Sequence, residues 1–196
     1  MDLPAYDDAV FFENSKKALV TGHDGKIWEV DSTANVAQPF VDVTLMAWGI
    51  YEAPGDPTQI YFCSAGSYEE RPEGEVAGLY RLDLGTRSID PLVLNVPEKE
   101  LDQQYPVVYA DNNPDAPELQ ADGSGRASRK ISVCDNLEVS EDGRRIYFSE
   151  PFSYENSSAD DAIDEAIALA PNGRFWRYDL ESGITRLIAE GFHFIN

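Results

Sequence analysis

The sequence predicts an all-β protein built as a β-propeller, with about three four-stranded blades. Three observations lead there. First, one segment recurs three times, as Gly25-Lys-Ile-Trp-Glu-Val-Asp31, Gly78-Leu-Tyr-Arg-Leu-Asp83 and Gly173-Arg-Phe-Trp-Arg-Tyr-Asp179. Second, similar strands precede and follow every copy. Third, the links between them are turn chemistry, such as Asn14-Ser15, Pro54-Gly55-Asp56-Pro57, His23-Asp24-Gly25 and Asp142-Gly143. Hairpin-linked strands repeated in fours describe propeller blades, whereas a β-sandwich needs no internal repeat.

The elements follow in order. First strands are expected at Ala9–Glu13, Gly49–Ala53 and Leu137–Ser140, and second strands at Ala18–Gly22, Ile60–Ser64 and Ile146–Glu150. The glycine-led segments are the third strands. Fourth strands follow at Val36–Val43, Ile89–Val96 and Ile184–Ala189. Blades then span about 4–44, 45–96 and 131–191 of a single domain, 1–196. Residues 97–130 are polar and rich in Asp, Asn and Pro, and read as a long loop insertion. Ser158–Ala170 reads as a short helix inserted in the third blade, with Ser158 as N-cap, acids in its first turns, and Pro171-Asn172-Gly173 as the stop. Three blades do not close a ring of the usual four to eight. The chain is thus either a fragment or one half of a two-chain ring; its stop where the next first strand should start favours the fragment. In both cases its terminal blades are open, and self-association through them is expected.

Composition narrows the partners. The 196 residues carry 36 acidic and 15 basic side chains, a net charge of −21. Such a surface repels nucleic acid and anionic membranes, which need Lys and Arg. No apolar run reaches about 18 residues, so no spanning helix is expected. No signal peptide is visible after Met1, and a cytoplasmic address is expected if Met1 is the native start. Cys63 and Cys134 make no disulfide framework and read as buried free thiols.

The repeat also locates a candidate site. First strands line a propeller's channel, so the residues that begin them ring its mouth. Leu137 lies nine residues before Ile146, and Ala9 nine before Ala18. Aligned so, the mouth receives Asp7-Asp8, Ala47-Trp48-Gly49 and Asp135-Asn136, with Asn196 opening a fourth blade. Converging carboxylate and carboxamide oxygens suit a hard cation such as calcium, although Asp and Asn also sit at such junctions as simple turn formers. His23 reads as a solvated turn residue. His193, between Phe192 and Phe194, is a weak candidate proton shuttle. Trp28, Phe62, Tyr80, Phe148 and Trp176 read as packing between blades. Neither a Ser-His-Asp order nor a phosphate loop is present.

Cys134-Asp-Asn-Leu-Glu-Val-Ser-Glu-Asp-Gly-Arg-Arg-Ile-Tyr-Phe-Ser149 resembles the innermost and second strands of strictosidine synthase-like proteins. Asn172–Gly183, Gly191–Asn196 and Thr21–Trp28 continue the likeness. That family belongs with the gluconolactonase (SMP-30), regucalcin and paraoxonase six-bladed propellers, and the likeness covers about half of such a ring. It implies a divalent, calcium-type ion in the channel and a small-molecule ester or lactone as substrate. The implied metal ligands are Asp7, Asp135, Asn136 and Asn196, with Asp7 where relatives place a glutamate and Trp48 where a polar residue is common. The expected function is a calcium-dependent hydrolase of lactones or related esters. The alternative is a non-catalytic binding module with a structural calcium site.

Overall fold

The computed structural model describes residues 5–12, 15–43, 46–65, 77–99, 106–124, 126–152, 171–193 and 195. It is a stack of three antiparallel propeller blades. Blade one orders β1 (Tyr6–Phe11), β2 (Lys17–Gly22), β3 (Lys26–Asp31) and β4 (Val36–Asp42) as sequential hairpins. Blade two repeats this with β5 (Ala47–Glu52), β6 (Gln59–Ser64), β7 (Gly78–Asp83) and β8 (Ile89–Val93). Expected as one strand to Val96, the outer strand of blade two breaks at Leu94, and β9 (Asn95–Pro97) leaves the sheet. No helix is found among the described residues, and the helix expected at Ser158–Ala170 lies outside them.

Alternation along the strands makes two apolar faces per blade, and each meets the next. Val10, Leu19 and Ile27 of blade one pack on Ile50, Ile60, Phe62, Tyr80 and Leu82 of blade two. The other face of blade two, with Tyr61, Cys63 and Leu79, packs on Leu137, Val139, Ile146, Phe148, Trp176 and Leu187. Phe62 and Tyr80 stack with centroids 5.4 Å apart. The packing role expected of the strand aromatics holds for these and for buried Phe148 and Trp176. Trp28, on the far face of blade one, is only partly covered.

Blade three contains β13 (Leu137–Val139), β14 (Arg145–Glu150), β15 (Gly173–Asp179) and β16 (Thr185–Phe192). The 97–130 segment is more ordered than its polarity suggested. β10 (Val107–Val108) and β11 (Glu118–Leu119) both pair with β16, and β12 (Ser128–Lys130) pairs with β9. Its charges fasten it to the blade. Across the sheet, Glu150 lies opposite Arg174, and Arg174 opposite Glu190. Arg129 grips fully buried Glu150 bidentately at 2.8 and 2.7 Å, and Lys99 pairs with Glu190. Charges alternate from Arg129 to Lys99. Ser132 N–H and Trp176 Nε1–H also donate to Glu150, at 2.9 and 3.1 Å. Burial alone would raise the Glu150 pKa; the Arg129 charge and hydrogen bonds, the Arg174 charge and the Ser132 amide bring it below its ordinary value.

The cysteines correct one expectation. Cys63 and Cys134 are buried but not free, because a disulfide joins them across blades two and three, with Cα atoms 5.0 Å apart and the two residues 71 positions apart in sequence. Neighbouring blades bring together two strand positions that no local pattern connects.

Candidate functional site

The first strands lie side by side, β1 against β5 and β5 against β13. In each blade one aligned pair sets the register: Ala9 opposite Val20, Ile50 opposite Phe62, and Leu137 opposite Phe148. The nine-residue spacing in the sequence therefore aligns equivalent positions. Immediately before these pairs the ladders are irregular, between Tyr6 and Ala9 in blade one and between Ala47 and Ile50 in blade two. Asp7-Asp8 and Trp48-Gly49 sit in these irregularities, and Asp135-Asn136 precede β13 at the same level. A bulge re-aims side chains and is frequent beside active sites.

The second residue of each pair is structural glue. Asp8 N–H donates to Thr21 Oγ1 at 3.0 Å, and Asn136 N–H donates to Ser149 Oγ at 3.2 Å. Asp8 Oδ1 accepts from Ala9 N–H at 2.8 Å, and Asn136 Oδ1 accepts from Leu137 N–H at 2.8 Å. Asp8 Oδ2 also accepts from Ile50 N–H at 3.1 Å, tying blade one to blade two. Thr21 Oγ1 extends the tie by donating to the Trp48 carbonyl at 2.6 Å.

Blade two answers with glycine. Gly49 N–H donates to the Asp135 carbonyl at 2.7 Å. A Cβ at Gly49 would lie 2.8 Å from both that oxygen and Asn136 Cα, so only glycine permits this approach. Gly49→Ala is expected to cost about 1–3 kcal/mol by overpacking, measured by denaturant unfolding.

The first residues of the pairs are Asp7, Trp48 and Asp135, and these define the candidate site. Asp135 is 5% exposed. Burial, then the charge of Asp7, raises its pKa to about 7. Asp7 is raised too, by burial first and by Asp8, against the lowering pull of His23. Two carboxyl groups thus share a partly desolvated mouth and repel one another. Trp48 separates them along the row of blades. It is buried with Met46, Ala65, Val133 and Phe152, and its ring lies 6.5 Å from that of His23.

Of the residues expected at the site, the structure brings together Asp7 and Asp135, with Asn136 beside them holding the Leu137 amide. His193 is exposed beyond β16, and no interaction joins it to the pair among the described residues. Asn196 lies outside those residues. His23 is exposed in the turn after β2, as expected, and lies near enough to Asp7 to pull its pKa down. One signal pointed to it: β2 runs antiparallel to β1, so the turn after β2 returns to the level of Asp7, with Tyr6 opposite Gly22.

As donors, Asp7 and Asp135 are hard oxygens of the kind calcium takes. No group of three or more His, Cys, Asp or Glu side chains surrounds a common point among the described residues. Asp7 and Asp135 are two such carboxylates, against the six to eight oxygens that calcium takes.

No family model and no curated protein matches this chain. Among solved structures, one supports the fold and others are more weakly similar. One described as a candidate gluconolactonase superposes with a TM-score of 0.52 at 10% identity, over 95% of this chain and 49% of that one. An ancestral GH74 enzyme gives 0.42 at 12% identity, over 93% and 25%. TolB from Acinetobacter baumannii gives 0.36 at 13% identity, over 94% and 43%. The chain therefore spans about half the length of the gluconolactonase-like structure and less of the other two. At 10% identity the likeness to the gluconolactonase-like structure concerns the propeller fold alone.

Proposed function

We propose that the chain carries part of a divalent-cation site at a propeller mouth and serves the hydrolysis of a lactone or related ester. The observation that supports this reading is the carboxyl pair Asp7–Asp135, the first exposed and the second buried, placed at equivalent starts of two first strands, with the charge of Asp7 raising the pKa of Asp135. The fold likeness to a gluconolactonase-type structure and the resemblance to strictosidine synthase-like sequences agree with it. Asp7 and Asp135 would hold the ion, calcium by donor type, and the carboxamide oxygens of Asn136 and Asn196 would add to its shell. Asn136 Oδ1 keeps a second lone pair for this beside its bond to Leu137.

A divalent cation so held supplies Lewis-acid polarisation of a carbonyl and acidifies bound water. The remaining chemistry belongs to this chain. Asp7 and Asp135 would hold that ion at the mouth. Trp48 gives that mouth an apolar wall beside the charged pair. The His23 imidazole, coupled to Asp7, can accept or return a proton at its ring nitrogens.

Calcium titration followed by thermal melting tests the site. At about 100 times Kd, binding adds about 2.7 kcal/mol, which for a chain of this size raises Tm by about 5–10 °C. Asp7→Asn and Asp135→Asn should abolish the shift. Turnover of a lactone and aryl-ester panel should require calcium, disappear in Asp135→Ala and fall in His23→Ala while the melting shift of the latter persists. Absence of any shift at millimolar calcium would overturn the metal site, and a shift without turnover would leave a structural ion in a binding module.

A further inference from the structure

The disulfide stands where the other two blades carry a hydroxyl. Thr21, Cys63 and Ser149 are equivalent, each one residue beyond the aligned Val20, Phe62 and Phe148. Their counterparts on the first strands are Asp8, Gly49 and Asn136. In blades one and three the hydroxyl accepts its counterpart's N–H, Thr21 from Asp8 and Ser149 from Asn136. Thr21 also reaches forward into the next blade, donating to the Trp48 carbonyl at 2.6 Å. Cys63 reaches forward as well, but by a covalent bond to Cys134. Trp48 and Asp135 are equivalent, so one link ends on the site residue of the following blade and the other ends beside it.

The two blade junctions differ in a second respect. Between blades one and two, Asp8 Oδ2 accepts from Ile50 N–H at 3.1 Å. Gly49 has no side chain to repeat this between blades two and three. Main-chain bonds serve there: Gly49 N–H to the Asp135 carbonyl at 2.7 Å, and Cys134 N–H to the Ser64 carbonyl at 3.3 Å. Restraint is also unequal across the disulfide. Cys63 lies inside β6, with β5 on one side and β7 on the other. Cys134 lies in the connection 131–136, which joins β12 to β13 and belongs to no strand. Both cysteines are fully buried, and the adjoining contact of Gly49 with Asp135 and Asn136 has no room for a Cβ. Bonded sulfurs sit closer than non-bonded atoms can, so two thiols need space that a close-packed junction lacks. The sheet holds Cys63, so opening the bond displaces Cys134 and, with it, Asp135.

We propose that Cys63–Cys134 is a redox-sensitive lock on Asp135, closed by the disulfide and opened by a dithiol. Thiol–disulfide exchange balances the step. One thiolate of the dithiol attacks a cysteine sulfur, the protein S–S bond breaks, and a mixed disulfide forms. The second thiolate then displaces the protein sulfur. The dithiol leaves oxidised to its own disulfide, and Cys63 and Cys134 take up its two electrons and two protons as thiols. Because both sulfurs are buried, attack waits on opening of the 131–136 connection. Groups that orient a metal ligand set its affinity by about 10–100-fold, so the open lock holds a cation at the mouth more weakly. That consequence rests on the metal reading of the mouth, whereas the lock does not.

Amide hydrogen exchange in EDTA, on the oxidised protein and in excess dithiothreitol, tests the lock apart from any metal. Cys63 and Cys134 are the chain's two cysteines, so the dithiol has no other disulfide to act on. Mass should show the gain of two hydrogen atoms. The Gly49, Asp135 and Asn136 amides, each hydrogen-bonded in the locked state, should then exchange at least about tenfold faster. Amides of the β2–β3 ladder should keep their rates, and reoxidation with oxidised glutathione should restore the slow pattern. Failure to reduce the folded protein, no acceleration, or an acceleration spread equally over all blades would each overturn the lock. Calorimetric titration with calcium reads the coupling, with affinity expected to fall about tenfold or more on reduction. Equal affinities in the two states would overturn the coupling. Absence of binding to the oxidised protein would overturn the metal reading instead, and the exchange rates alone would then decide the lock.

Discussion

Glu150→Ala is expected to destabilise the protein by about 3–5 kcal/mol, the range for removing one partner of a buried ion pair. Glu150 is fully buried and receives four hydrogen bonds, two from Arg129 and one each from Ser132 and Trp176. The alanine would strand the Arg129 charge in a low-dielectric site and leave a buried indole N–H and amide without their acceptor. Much of the cost is this uncompensated burial rather than the worth of the pair itself. Arg129 also fastens the 97–130 segment, so early proteolysis within that segment should accompany the loss. Chemical denaturation of the variant measures the energy, and limited proteolysis the local release. A change below about 1 kcal/mol would show that the pair is a solvated contact of the ordinary surface kind.

Asp135→Asn should stabilise the calcium-free protein above neutral pH and leave it little changed near pH 4. The sign follows from linkage. The folded-state pKa of about 7 stands above the ordinary 3.8, so the folded state holds a proton that the unfolded state has released. Stability therefore declines as pH rises from about 4 to about 7 and is level beyond. The full decline is about 4 kcal/mol, from about three pKa units at 1.36 kcal/mol each. Asp7, also raised, adds in the same direction. A carboxamide cannot ionise, so the variant should show a much flatter profile across this window. Unfolding free energies in EDTA at half-unit pH steps make the comparison, and an unchanged slope would mean that Asp135 is charged at no cost.

The two predictions concern residues of different legibility. Asp135 was found from the sequence, because a repeat with fixed spacing maps equivalent residues to equivalent places. Its neighbour across the mouth, Asp7, was found by the same ruler. The ruler works because β pairing is locally determined: hairpins set register, and alternation sets which side chain points inward. Glu150 was visible only as the last residue of a strand. Its burial depends on Arg129, a residue from a segment that composition described as loop. The polarity of that segment was read as solvation, but several of its charges face charges of blade three. His23 is, as expected, an exposed turn residue, and the antiparallel return of β2 places it near Asp7.

By itself, the sequence determined the blade repeat, the strand order within each blade, the register and the level at which Asp7, Trp48 and Asp135 stand. These properties depend on side-chain periodicity and turn chemistry over a few residues. The tertiary structure alone decided the Cys63–Cys134 disulfide, the need for glycine at Gly49, the raising of the Asp135 pKa by burial and the charge of Asp7, and the charge ladder from Arg129 to Lys99. Each joins residues far apart in the chain. Their energies come from distance and burial between blades, quantities that no local pattern of residues encodes.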